Sequence, residues 1–265
     1  MPNANQESIE QALTQTETDT IATLKAADVM TKNLRKLRGA AKSGNLRELR
    51  SSIDAAEKAL AALRQQFSNA KEGWAFDEEG YLADGRYFKE VLATAERMGV
   101  RMFERDDRIY SYPSLVRVSA SEKSVLIDKK RESRIRPSVL VSILRDVQRK
   151  PPRFKYQQFL DALYTTYLKV LAIRGMDYSH APVIPLVDIH ELLTLLPGQA
   201  REYTKQEFAR DIYLLHRSGV ESSKNAKISF PISRGAPGRI LTIIDEAGEE
   251  KRYYGICFTP MNEER

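Results

Sequence analysis

The 265-residue sequence contains one cysteine, one tryptophan and three histidines. A lone thiol, Cys257, can form neither an internal disulfide nor a thiolate metal cluster. Disulfide-stapled folds drop out, and a reducing cytoplasm becomes the expected compartment. His180, His190 and His216 have no ligand spacing with one another, with carboxylates or with Cys257. His190, in the apolar stretch Leu186 to Leu196, reads as a satisfied interfacial histidine rather than a ligand. Cys257, between Ile256 and Phe258, reads as a small buried hydrophobe. No apolar run approaches the roughly 20 residues that cross a bilayer. The start MPNANQESIEQ is polar and acidic, without the basic and apolar regions of a secretory signal. The phosphate-cradling patterns G-x-x-x-x-G-K-[ST] and G-x-G-x-x-G are absent, as are G-x-S-x-G and H-E-x-x-H. The expectation is therefore a non-enzymatic protein with no cofactor, no bound metal and no membrane partner.

What is present begins with charge. The chain carries 42 Lys+Arg against 36 Asp+Glu, a formal +6 that is unevenly placed. Between Lys129 and Lys155 stand Lys129, Lys130, Arg131, Arg134, Arg136, Arg145, Arg149, Lys150, Arg153 and Lys155, opposed only by Glu132 and Asp146. A focus of this kind attracts a polyanion, because each phosphate contact releases condensed counterions. This stretch reads as a basic connector, 129–155, containing a short helix that opens at Pro137 and presents Val139, Ile143 and Val147.

Periodicity is clearest in the N-terminal third. Leu46, Leu49, Ile53, Ala56, Leu60, Leu63 and Phe67 alternate steps of three and four, a seam of the coiled-coil type. Asn45 and Glu48 read as an N-cap with its capping partner. Upstream, Leu24, Ala27, Met30, Leu34 and Leu37 make a second stripe, and the turn around Ser43-Gly44-Asn45 joins the two. The pattern predicts an antiparallel helical hairpin over 21–70, preceded by a frayed segment 1–20. Leu46, Leu49, Ile53, Leu60, Leu63 and Phe67 are the candidate surface for self-association or for docking another protein.

Two helix-then-β units follow. In 71–128 a helix opened by Asp84 carries Phe88, Val91, Leu92 and Ala95, leaves Glu90, Ala93 and Thr94 outward, and ends at Gly99. Three β-type runs then begin at Val100, Arg108 and Ser124. In 154–260 three helices (about 154–173, 186–196 and 205–217) lead into runs 227–232, 239–245 and 251–258. Thr204 and Glu207 form a capping box at the last helix. The segments FKEVLATAERMGV and FARDIYLLHRSGV share Phe, Arg, Gly and Val in register, thin support for an internal duplication. The fold class expected is α+β, mostly helical, ending in the five-residue tail 261–265.

Three helices followed by a hairpin with a glycine-containing tip resemble the winged-helix order. That resemblance implies that the helix from Lys205 to Arg217 enters the major groove of double-stranded DNA. Its outward residues would be Lys205, Gln206, Arg210, Tyr213 and Arg217. A wing would add Arg234 and Arg239, and the connector would add Lys129, Lys130, Arg131, Arg134, Arg136, Arg149, Lys150 and Arg153. In outline the chain is also similar to tandem winged-helix subunits of chromosome-organising ATPase complexes, which implies an adaptor that binds protein. A third pattern, Asp245, Glu249 and Lys251, is faintly similar to metal-dependent nucleases, where two carboxylates hold Mg²⁺ and a lysine orients water. A polar turn between strands accounts for the same residues.

Overall fold

A computed structural model describes residues 8–74, 76–150, 154–231 and 238–261. The fold is α+β and mostly helical: a long hairpin of two helices, then helices combined with antiparallel sheets. The chain divides into two compact units. The first holds the hairpin together with residues up to Val91, 120–123 and 134–140; the second holds 92–119, 124–133 and everything from Val141 onward. Two of the divisions, between Val91 and Leu92 and between Leu140 and Val141, fall inside helices.

Helix α1 spans Ile9–Ser43 and α2 spans Leu46–Gly73. Gly44, at φ 71°, ends α1 in the left-handed conformation, and its neighbour Asn45 caps α2 by accepting the Glu48 N–H at 3.2 Å. Of the segment 1–20 expected to be frayed, Ile9 onward is helix α1, and residues 1–7 lie outside the described residues. Ser8 caps α1, and the carboxylate of Glu90 accepts the N–H groups of Ile9 and Glu10, each at 3.0 Å, plus the Ser8 and Tyr81 hydroxyls. An anion thus sits on the orphan donors of the first turn, where the helix dipole favours it. Further clamps come from Arg136, whose guanidinium reaches Glu10 at 2.7 Å, Glu17 at 2.8 Å and Thr14 at 2.8 Å. Burial alone would raise the Glu10 carboxyl, but the Ser138 N–H, Arg136 and the Ser138 hydroxyl together hold it below its ordinary value.

The hairpin packs on small residues. Ala12, Ala40, Ser52, Ala56 and Ala59 are buried, while Leu49 and Leu63 are half-buried. The Asn33 amide crosses to the Ala55 carbonyl at 3.1 Å. Alanine on both sides lets the two backbones approach closely. The seam therefore runs through Leu49, Ser52, Ala56, Ala59 and Leu63, one step around the helix from part of the expected stripe. Leu46, Ile53 and Phe67 lie exposed on its edge, and Leu60 is half-buried.

Short helix α3 (Glu78–Ala83) and helix α4 (Arg86–Arg97) follow. Here Glu90 caps α1 and Thr94 is buried, so neither is the outward residue expected. Five strands then form one continuous antiparallel meander in sequence order: β1 (Phe103–Arg105), β2 (Arg108–Ser111), β3 (Ser114–Ser119), β4 (Ser124–Ile127) and β5 (Lys130–Glu132). The long run expected from Arg108 is broken at Tyr112-Pro113, since proline cannot supply a ladder N–H. Part of the supposed connector is strand β5. Another part is helix α5 (Pro137–Gln148), whose buried face is Pro137, Leu140, Val141 and Leu144 rather than the half-buried Val139, Ile143 and Val147.

The second unit continues with α6 (Tyr156–Arg174), the two-residue strand β6 (Ile184–Pro185), α7 (Leu186–Leu193), one turn α8 (Gln199–Glu202) and α9 (Lys205–Ser218). The remaining strands are β7 (Ser222–Ser223), β8 (Ala226–Ser229), β9 (Leu241–Ile244), β10 (Glu250–Tyr253) and β11 (Gly255–Pro260). They are nested: among the described residues β9 pairs only with β10, whereas β11 returns to lie between β6 and β8, giving the order β6-β11-β8-β7. The two helix–sheet segments thus differ in strand connection, which removes the topological half of the duplication argument. Leu160, Leu163, Tyr167, Ile184, Leu186, Phe208, Ile212, Leu215, Ile228 and Phe258 form the centre of this unit's core.

Candidate nucleic-acid interface

Helix α9 is the element on which groove reading would depend. Its start is as expected: Thr204 accepts the Glu207 N–H, and the Glu207 carboxylate returns to the Thr204 N–H at 2.7 Å. Its sides are not. From Phe208 to Leu215 every residue is buried except Arg210, and the Arg210 side chain is only 14 % exposed. Arg210 and Tyr213, expected to face outward, are corrections to that reading.

The physical cause lies elsewhere in the chain. The Arg210 guanidinium donates to Asp211 at 2.9 and 2.7 Å through Nε and Nη2, and its Nη1 bonds Asp128, at the end of β4. Asp128 also accepts the Leu115 N–H at 3.0 Å, which fixes its carboxylate in place. The Tyr203 hydroxyl donates to Asp211 at 2.7 Å. Burial alone would strip charge from Arg210, but the Asp211 and Asp128 carboxylates outweigh it and hold the guanidinium charged. Burial pushes the Asp211 carboxyl upward against the pull of Arg210 and the Tyr203 hydroxyl. Burial, with the Asp211 charge, also raises Tyr203, so its hydroxyl stays protonated and donates. The network turns the Arg210 guanidinium toward the chain's own carboxylates, with Asp211 buried and Asp128 half-exposed.

The second arginine, Arg217, also has a partner within the chain, but its side chain stays 48 % exposed. Tyr213 donates its hydroxyl to Glu246 at 2.7 Å, and Arg217 forms an ion pair with the same carboxylate. Arg217 also stacks over the Tyr112 ring at 5.8 Å. Arg239 pairs with Asp188 at 3.2 Å, and Arg174 holds the other oxygen of that carboxylate at 2.7 Å. Arg136 is bound to Glu10 and Glu17. Arg234 and Arg153 lie outside the described residues.

The remaining candidates are more open. Lys205, Lys130, Arg149 and Lys150 are exposed, and Gln206 is half-buried. Lys129 is exposed with its ammonium 4.9 Å from the Tyr203 ring centroid. Arg131 donates to the Ser124 hydroxyl at 3.2 Å, and Arg134 is exposed. Arg134 and Arg136 belong to the first unit, and the other cations to the second. Within 129–150 the expected connector contains strand β5 as well as the helix α5.

The nuclease-like residues form a turn. Asp245 accepts the Ala247 and Glu249 N–H groups at 2.9 and 2.8 Å, and Lys251 binds Glu249 at 2.6 Å. Burial would raise the Asp245 carboxyl, but those two N–H groups and Lys251 bring it below its ordinary value. His190 is buried and donates from Nε2 to the Tyr203 carbonyl at 2.7 Å, and Cys257 lies buried beside the Ser229 hydroxyl. Among the described residues no cluster of His, Cys, Asp and Glu is arranged to hold a metal ion, and no helix is long and apolar enough to cross a membrane. No protein-family description matches the chain, nor does any curated protein or solved structure.

Proposed function

We propose that the chain is a non-enzymatic adaptor: its second unit is a winged-helix-like scaffold, and its hairpin docks another protein. The order α6, β6, α7, α9, β8, β11, with β11 between β6 and β8, supports the winged-helix reading of that unit. One observation carries the choice of adaptor over DNA reader. The helix that would have to enter a groove is covered on its sides, and its central arginine is sealed between Asp128 and Asp211. The hairpin offers the alternative surface. Leu46 at 71 % exposure and Phe67 at 61 % lie a multiple of seven residues apart with Ile53 and Leu60 between them, so they line one edge. A helix with its own apolar stripe is the partner this edge fits. The adaptor subunits of chromosome-organising ATPase complexes, which the chain resembles in outline, supply the model for such a role.

The test is purification of the chain from its own cells beside a Leu46→Glu/Phe67→Glu variant. The adaptor reading expects the wild type to elute with a stoichiometric partner and the variant to lose it at an unchanged melting temperature. A wild-type chain that elutes alone and shifts duplex DNA contradicts it.

The exposure of Lys129, Lys130, Arg149 and Lys150 favours a second reading, sequence-independent contact with a nucleic-acid backbone. Its signature is an affinity for duplex DNA that falls steeply with salt and drops on replacing these four residues with Gln.

A further inference from the structure

One face of the five-stranded meander carries a row of arginines. Arg105 pairs in register with Arg108, Arg117 with Leu126, and Leu126 with Arg131. One step beyond the Ile109–Val116 pair, Arg108 lies across from Arg117. Cross-strand partners point to the same face, so four arginines stand in line across strands about 4.8 Å apart. Like charges directly opposite one another destabilise a sheet unless something neutralises them. At one end Arg105 has that relief, from Glu250 at 2.5 Å. In the middle, Arg108 and Arg117 have no carboxylate within ion-pair distance among the described residues. Burial depresses the pKa of Arg108 and the charge of Arg117 depresses it further, while the Glu207 and Asp107 carboxylates pull the other way from beyond ion-pair distance.

This pair, without a direct ion-pair partner among the described residues, lines a cavity of about 370 Å³. Arg201, from α8, and Lys129 bring two more cations to its lining, while Leu115, Val116 and Leu126 supply apolar surface. Two acids, Glu202 and Glu207, also line it. Glu207 is held in the capping box by Thr204, which occupies the start of α9 and leaves the guanidinium pair as the anion-directed feature. The volume falls within the usual range for small-molecule sites. Guanidinium groups are suited to phosphate, which they can grip with two parallel N–H bonds.

We propose that this cavity binds the phosphate of a nucleotide, with Arg108 and Arg117 as a paired clamp, Arg201 and Lys129 at its sides, and the leucines against the sugar or base. The shared chemistry is a phosphorylated nucleoside, whether free or as a unit of a nucleic-acid strand. The inference is independent of the adaptor role.

The experiment titrates the full-length protein at low salt with AMP, inorganic phosphate and a short fluorescein-labelled single-stranded oligonucleotide. Wild type, Arg117→Gln, Arg108→Gln/Arg117→Gln and an Arg149→Gln/Lys150→Gln control are compared. AMP binding that weakens about tenfold or more in Arg117→Gln and is unchanged in the control supports a free nucleotide. The same pattern with the oligonucleotide alone supports a strand. Melting curves provide a second readout. Removing one of two opposed charges leaves the unliganded protein as stable or more stable, whereas a purely structural arginine would lower its melting temperature. Absence of binding by AMP and oligonucleotide alike, binding that Arg117→Gln does not weaken, or equal loss in the control overturns the proposal.

Discussion

Helices α2 and α9 both begin at side-chain caps that bond the third helical residue, and both carry regular apolar stripes, yet they bury opposite kinds of residue. In α2 the buried positions are Ser52, Ala56 and Ala59, and large apolar side chains stay in water. In α9 a buried face holds Phe208, Ile212 and Leu215, and a second covered face holds Arg210, Asp211 and Tyr213. The difference teaches that amphipathic spacing identifies a helix and one of its faces, while the number of faces covered depends on what the rest of the chain brings. In the hairpin, α1 covers one face of α2 and small residues set the approach. In the second unit, Asp128 and Glu246 bring carboxylates to the polar side of α9 and close it.

This contrast can be broken at several points. Phe208→Ala should cost about 3–5 kcal/mol in urea unfolding, because it empties a fully buried aromatic site. Ala56→Leu, at the tight seam of the hairpin, should cost about 1–3 kcal/mol by overpacking, measured in the same way. A loss near zero would mean that α1 and α2 are not held as closely as their small residues imply. Phe67→Ala, on the exposed edge of the same helix, should change stability by no more than about 0.5 kcal/mol. A large loss there would show that the edge is already packed.

Acidity sharpens the comparison differently. Glu10 and Asp245 both have carboxyls held below their ordinary values in the folded protein. Such groups stabilise the fold above their unfolded pKa, and that contribution is lost as pH falls through the folded value. Melting temperature should therefore fall on acidification below the ordinary carboxylate range. Glu10→Gln should flatten that dependence and loosen the start of α1, as read by amide exchange.

Local signals were legible in the sequence. Asn45, Thr204, Gly44, Gly99 and Gly219 mark helix ends because capping involves only near neighbours. The capping of α1 by Glu90 was not legible, since donor and acceptor are separated by 81 residues. The same holds for Arg210 and Asp128, 82 residues apart, and for Tyr213 and Glu246, 33 apart. An arginine on a helix carries no local sign of whether its counter-ion is a phosphate or a distant aspartate. The pairing of Arg108 with Arg117 was hidden because the break at Tyr112-Pro113, inside one apparent strand, sets their register.

The most direct measurement is urea unfolding of Arg210→Ala together with its binding to duplex DNA at low salt. An internal network predicts a loss of about 3 kcal/mol, the cost of leaving the buried Asp211 carboxylate without its cation. A variant that is as stable as the wild type but no longer holds DNA would contradict the account.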